Sequence, residues 1–164
     1  MHGETEIKKL IYDLIYHRYM MNKDTDKTVF SKLSLREYIV LHHFVKTSNG
    51  NKEKLYLSDL SEELNLSIHQ ISKLATQLRD RGIVTWSHDG NGADGSYLTV
   101  TDAGMKLLDE QEKKLFEHYE KIINSFGKQE MLSMISELRR FEDIVERERA
   151  NEGGVLADGM DEAE

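Results

Sequence analysis

The stretch LSDLSEELNLSIHQISKLATQLRDRGIV, running from Leu57 to Val84, decides the fold of this chain. It reads as two short helices with a tight break between them. The first spans Ser58 to Leu64, and Asn65-Leu66 interrupts it. The second begins at Ser67, where Gln70 three residues on completes a capping box that satisfies two of the donors a helix start leaves open. Ile71, Leu74, Ala75 and Leu78 recur at helical spacing and form its inward face. Gly82 then suits the left-handed position that ends a helix. Two short helices joined this way make a helix-turn-helix.

Outward from that core, Ile83 to Trp86 and Ser96 to Val100 are β-rich and bracket a glycine-rich loop, His88 to Gly95, which predicts a hairpin. Leu55-Tyr56-Leu57 adds a small strand before the first short helix. Thr101 or Asp102 caps a long helix carrying Leu108, Leu115, Tyr119, Ile122 and Phe126. After Gly127 a last helix repeats the pattern with Met131, Ile135, Leu138, Phe141 and Val145. Upstream, Ile7, Leu10, Ile11, Leu14 and Ile15 place one apolar stripe on a helix from about Glu4 to Met21. Ser34 and Glu37 form a second capping box, ahead of a helix whose apolar residues Leu35 to Val45 surround it and imply burial. The stripes of the first and last two helices find little to pack on within so short a chain, so a homodimer is expected.

Composition narrows the function. The chain has 164 residues, 38% hydrophobic and 32% charged, with a net charge of -8, which suits soluble helices in one compact domain. Zero Cys removes disulfides, thiol catalysis and Cys-ligated metals. No apolar run approaches the roughly 18–20 residues that span a bilayer. Met1 to Glu6 is acidic and polar, unlike a secretory leader, so a cytoplasmic protein with no membrane partner is expected. Nucleophile-elbow, phosphate-loop, dinucleotide-binding and zinc-protease motifs are all missing, so an enzyme is not expected, nor a cofactor. His42 and His43 are adjacent and point about 100° apart on a helix, so they read as core histidines rather than joint ligands, and no metal site is expected. The last residues, Asn151 to Glu164, hold five acids, three Gly and no cation, and are expected to be disordered.

The segment from Leu57 to Val84, with Leu98-Thr99-Val100-Thr101-Asp102-Ala103-Gly104 as a strand-to-helix junction, resembles the central region of MarR-family transcriptional regulators. The likeness covers roughly residues 33–145. It implies a mainly α fold with a small β-hairpin wing: a winged helix-turn-helix flanked by N- and C-terminal dimerisation helices. The corresponding division is 1–32 for the first helix and loop, 33–101 for the DNA-binding region, 102–150 for the C-terminal helices and 151–164 for the acidic tail.

By that resemblance the partner is double-stranded DNA at a pseudo-palindromic site, and a small-molecule effector releases it. Ser67 would offer its hydroxyl and the helix N-terminus to a phosphate. Ile68, His69, Gln70 and Lys73 would face the major groove, Gln70 bidentate to adenine, with Thr76 and Gln77 one turn on near the backbone. The wing would bring Asp89, Asn91 and Asp94 to the minor groove. Family wings usually carry an Arg at the tip, and this loop has no cation, so DNA affinity is expected to be modest or to rely on cations from elsewhere in the dimer, such as Lys52, Lys54, Lys32 and Arg36. An effector pocket would draw on Tyr16, Tyr38 and His42; core or dimer packing is the other use for Tyr16 and its neighbours. The alternative function is a protein-interaction or ligand-binding dimer with weakened or lost DNA binding.

Overall fold

A computed structural model describes residues 2–23, 29–48, 54–90 and 92–158. In chain order the elements are α1 (His2–Asn22), α2 (Leu35–Ser48), β1 (Leu55–Tyr56), α3 (Leu57–Glu63), α4 (Ile68–Asp80), β2 (Val84–His88), a 3-10 turn (Gly92–Gly95), β3 (Ser96–Val100), α5 (Asp102–Phe126) and α6 (Lys128–Asp158). The mainly helical winged arrangement predicted from the sequence is the one found. The chain divides into two compact units, residues 1–116 and 117–164. Past Gln111, α5 has no buried residue, and the first unit ends within the next turn and a half, at Phe116.

In the first unit the core is formed by one face each of α2, α3, α4 and α5 with the sheet. Leu33, Leu41, Leu60, Ile71, Leu78, Leu98 and Leu108 are almost wholly enclosed, and each such side chain contributes roughly 1.5–3 kcal/mol by leaving water. The sheet order is β1-β3-β2, antiparallel throughout, with Leu55 opposite Leu98 and Val84 opposite Val100. That register puts Leu55, Val84, Leu98 and Val100 against the helices, the period-two alternation of a half-buried sheet.

The helix ends follow their local chemistry. Ser34 N donates to Glu37 Oε2 at 2.8 Å and Glu37 N to Ser34 Oγ at 3.2 Å. Asn65 supplies the left-handed residue of the tight break, with φ 49°, and Ser61 Oγ bonds the Leu66 carbonyl across it at 2.6 Å. At the end of α4, Gly82 takes φ 70°; its N–H meets the Arg79 carbonyl, and that of Ile83 reaches back to Leu78. These are the two bonds of a Schellman motif. Thr101 caps α5 by accepting from Gly104 N at 3.1 Å, while its own N–H donates to the Ile83 carbonyl at 3.0 Å.

Some elements depart from the sequence reading. Helix α2 buries one face instead of its whole circumference: Val40, Leu41 and Phe44 are inside, while Leu35, Ile39 and Val45 stay exposed. His42 is a surface residue and His43 half-buried, so the expectation of two core histidines fails for His42. The segment from Asn151, read as unstructured, continues α6 as far as Asp158. Extending an existing helix needs no new nucleus, and the chain has no proline to stop it. Every apolar side chain of α1 from Ile7 to Met21 is at least 44% exposed. In the second unit Leu132, Ile135, Leu138, Phe141 and Ile144 of α6 are exposed as well.

The close approach of α5 to the end of α4 is sterically demanding. A Cβ on Gly104 would stand 2.2 Å from the Ile83 carbonyl oxygen and 2.8 Å from Val100 Cγ1, neither of which moves without disturbing the sheet. Gly104→Ala is therefore expected to cost at least the 1–3 kcal/mol or so of an overpacked core. At Gly82 a Cβ meets open space, so Gly82→Ala should cost only the backbone strain of about 1–2 kcal/mol. Urea denaturation of both variants checks the order.

Candidate nucleic-acid interface

Helix α4 has two unlike faces. Ile71, Leu74, Ala75 and Leu78 are buried, and Ile68, His69, Gln70, Lys73 and Gln77 are exposed on the other side. Ser67 caps the helix with both bonds of the predicted box: Gln70 N donates to Ser67 Oγ at 3.2 Å, and Ser67 N to Gln70 Oε1 at 2.9 Å. That second bond bears on the reading of Gln70. Its amide oxygen is turned back to the cap, leaving the Nε2 amino group as the end available to a ligand. A bidentate contact with adenine, which needs both ends, requires the box to open. Thr76 is half-buried and donates its hydroxyl to the Ser72 carbonyl at 2.9 Å, so it is engaged within the helix.

The three cations of this region are not equivalent. Arg79 Nη2 sits 3.1 Å from Asp80 Oδ1, and its guanidinium lies 5.7 Å from the Trp86 ring centre. Arg81 Nη1 donates to both carboxylate oxygens of Glu37 at 2.9 Å each, and its Nη2 to the Lys32 carbonyl. Lys73 is exposed and, among the described residues, has no carboxylate at ion-pair distance. Among the described residues, Lys73 is thus the one of the three whose charge is not paired.

The wing loop carries no Lys or Arg of its own, and its acidic residues are placed unequally. Asp89 is largely enclosed: its side chain is only 14% exposed and accepts from the Tyr56 hydroxyl at 2.7 Å. Lys54 Nζ lies 3.9 Å from the same carboxylate and 4.5 Å from the centre of the Tyr97 ring. A cation distant in sequence thus offsets part of the wing's charge. At the tip, His88 Nδ1 accepts from Gly90 N at 2.9 Å and His88 Nε2 meets the Gly92 carbonyl at 2.6 Å. An N–H on one side and a carbonyl on the other require the neutral ring with its hydrogen on Nε2. Asp94 is exposed in the 3-10 turn, and Asn91 lies outside the described residues.

Of the three residues proposed for an effector pocket, two meet. The Tyr38 and His42 rings are 5.6 Å apart, Phe30 approaches Tyr38 at 5.8 Å, and His42 Nδ1 stands 3.0 Å from Glu112 Oε1 on α5. Burial first, and the Glu112 charge second, hold the Tyr38 phenol above its ordinary range. Tyr16 instead stacks on Tyr12 at 6.1 Å and meets His17 edge-on. Phe30 and Glu112 carried no local motif and could not be singled out from spacing. Among the described residues no group of three or more His, Asp or Glu could hold a metal ion, and no helix is long and apolar enough to cross a membrane.

Solved structures resemble this arrangement over most of its length. A MarR-family transcriptional regulator from Rhodococcus sp. RHA1 superposes with a TM-score of 0.65 at 18% identity, covering 80% of this chain and 91% of that one. The chain has the MarR-type winged-helix fold. The PcaV transcriptional regulator from Streptomyces coelicolor, solved with its natural ligand, gives 0.61 at 19% identity over 82% of this chain and 89% of PcaV. BpsR of Bordetella bronchiseptica, whose DNA binding is regulated by 6-hydroxynicotinic acid, gives 0.62 at 17% identity over 82% and 92%. No protein-family profile and no curated protein sequence matches. On the MarR fold α3 and α4 are the helix-turn-helix, and β2 and β3 the wing.

The Tyr56 hydroxyl gives a direct probe of how that wing is held. Its hydrogen bond to Asp89, with smaller contributions from desolvation and nearby negative charge, raises the phenol's pKa above the ordinary 10.0. A raised value in the folded state stabilises the fold below about pH 10, and this contribution is lost as the pH rises through the folded-state value. Carbon NMR titration of the tyrosine ring should give a Tyr56 midpoint above 10.0, falling in Asp89→Ala. An unchanged midpoint would mean the clasp does not form in solution.

Proposed function

We propose that this chain is a homodimeric, ligand-responsive, DNA-binding transcriptional regulator that reads a pseudo-palindromic duplex site with α4. The observation that carries the reading is the two-faced, Ser67-capped helix α4, which is anchored in the core by four apolar residues and presents Ile68, His69, Gln70, Lys73 and Gln77 outward. The capped N-terminus offers backbone N–H groups to a phosphate, Ile68 suits a thymine methyl, and Lys73 suits a phosphate or a guanine edge. The neighbouring folds include two transcriptional regulators and a protein whose DNA binding is regulated by 6-hydroxynicotinic acid. An aromatic ligand with a polar substituent is the class that the Phe30, Tyr38, His42 and Glu112 cluster would take. The exposed apolar faces of α1 and α6 supply the surface for a second copy.

A second reading has its own support. With Arg79 and Arg81 engaged and Lys54 beside Asp89, Lys73 is the one cation left over among the described residues 54–101, in a chain of net charge -8. A winged-helix dimer acting through proteins or ligands rather than DNA fits that balance. Selection of binders from a random duplex pool at low salt separates the two. Recovery of an enriched sequence supports the regulator, and failure to retain any duplex supports the alternative.

Two variants sharpen this. Lys73→Ala should weaken binding to selected and random duplexes alike and lower the slope of log K against log salt by about 1. Asp94→Arg, in an exposed turn, should tighten binding at low salt and steepen that slope by about 0.9 for each phosphate gained. For the dimer, Leu138→Asp places a charge in the apolar stripe of α6, at a cost of several kcal/mol if that stripe is buried between copies. Light scattering should show loss of dimer; a dimer of unchanged stability would remove this stripe from the interface.

A further inference from the structure

Residues 29–34 lie between two helices and are bonded to both. Toward α5, Gln111 Nε2 donates to the Val29 carbonyl at 2.9 Å, Lys32 Nζ to Glu110 Oε2 at 2.9 Å, and Lys114 Nζ to Ser31 Oγ at 3.2 Å. Positions 110, 111 and 114 fall on one side of a helix. Toward α4, the C-cap residue Arg81 holds the Lys32 carbonyl through Nη2 and the Glu37 carboxylate through Nη1. Glu37 is itself only 7% exposed and accepts from Ser34 N at the start of α2. Lys32 is therefore a node: its side chain reaches α5 and its backbone carbonyl reaches α4.

These bonds differ in strength. The Lys32–Glu110 and Lys114–Ser31 contacts are exposed and weak. The Gln111 bond is buried, and its loss would leave the Val29 carbonyl without a partner away from water. Arg81 engages both oxygens of a buried carboxylate, the stronger kind of charged contact. Val29 and Leu33 are 3% and 1% exposed and fix the segment to the core between those anchors. Phe30, inside the segment, touches Tyr38, whose neighbour His42 pairs with Glu112 next to Gln111.

We propose that residues 29–34 are a strut coupling α5 to the C-terminal end of α4, with Arg81 as its positioning residue, so that a change at the Gln111 contact alters how α4 is held. The regulatory meaning rests on the reading of α4 as the DNA-reading helix; the mechanical coupling does not. Gln111 and Arg81 bond to different atoms of the same segment, so changes at one are felt at the other only if the segment transmits them.

The test is amide exchange on the full chain for the parent, Gln111→Met, Arg81→Lys and the double variant. Gln111→Met keeps the side chain's length and removes its donor. Arg81→Lys keeps a charge facing Glu37 and removes the fork that also reaches Lys32. In Gln111→Met, the amides of Arg81, Gly82 and Ile83, which bond Gln77, Arg79 and Leu78, should exchange about threefold faster relative to Leu98 and Val100 in the sheet. Arg81→Lys should reciprocally accelerate the amides around Gln111, which keeps the test open if Gln111→Met does not fold. The double variant should exchange no faster at either site than the faster single. Acceleration that is equal in the sheet, confined to the mutated side, or multiplied in the double overturns the strut. Binding to a selected duplex distinguishes the two readings. If the parent binds, Gln111→Met should lose about threefold in affinity, and unchanged affinity overturns the coupling. If the parent binds no duplex, the DNA reading of α4 fails while the exchange data still decide the strut.

Discussion

The carbonyl of Ile83 is the point on which the winged unit depends. It accepts the N–H of Thr101 and lies within reach of the Thr101 hydroxyl, and the glycine at 104 lets α5 pass directly over it. The end of α4, the first wing strand, the end of the second wing strand and the start of the long helix all meet there. Because α4 is closed by a left-handed Gly82 immediately upstream, its direction, the sheet's position and the exit of α5 are set together. A helix that is to present a few side chains in a defined orientation benefits from such a junction, since a rigid scaffold reduces the ordering cost of binding.

Electrostatics qualifies what that helix presents. Charge counted along the sequence assigns α4 and its C-cap residue three cations, yet the structure engages two of them: Arg79 beside Asp80 and Trp86, and Arg81 on Glu37. In the wing the reverse occurs, because the Asp89 charge is countered by Lys54 and turned inward by Tyr56. Both corrections have one origin. Charge per segment ignores pairs separated by tens of residues, and those pairs decide which charges a ligand meets.

Much of the fold was legible because its signals are local. The two capping boxes at Ser34 and Ser67, the glycine after α4 and the apolar spacing of Ile71, Leu74, Ala75 and Leu78 each involve residues within a few positions of one another, and all are found as read. The resemblance to the MarR family added the topology that local signals lack, and the solved structures share it. The candidate site was legible only as a set of outward positions. That Gln70 turns its amide oxygen to the cap, that Tyr56 clasps Asp89, and that Glu112 pairs with His42 depend on tertiary geometry with no periodic signature. The helical continuation from Asn151 to Asp158 was missed because its composition resembles a solvated tail, while the preceding turns of α6 had already supplied the nucleus.

In the proposed function two copies of α4, each held by its winged unit, read one duplex. Hydroxyl-radical footprinting on the enriched duplex examines it most directly, because protection maps where each copy sits along the DNA. Two such copies require two protected regions related by the site's pseudo-symmetry, their centres about one helical turn or a whole multiple of it apart. A single protected region, or uniform protection without phase, would contradict it.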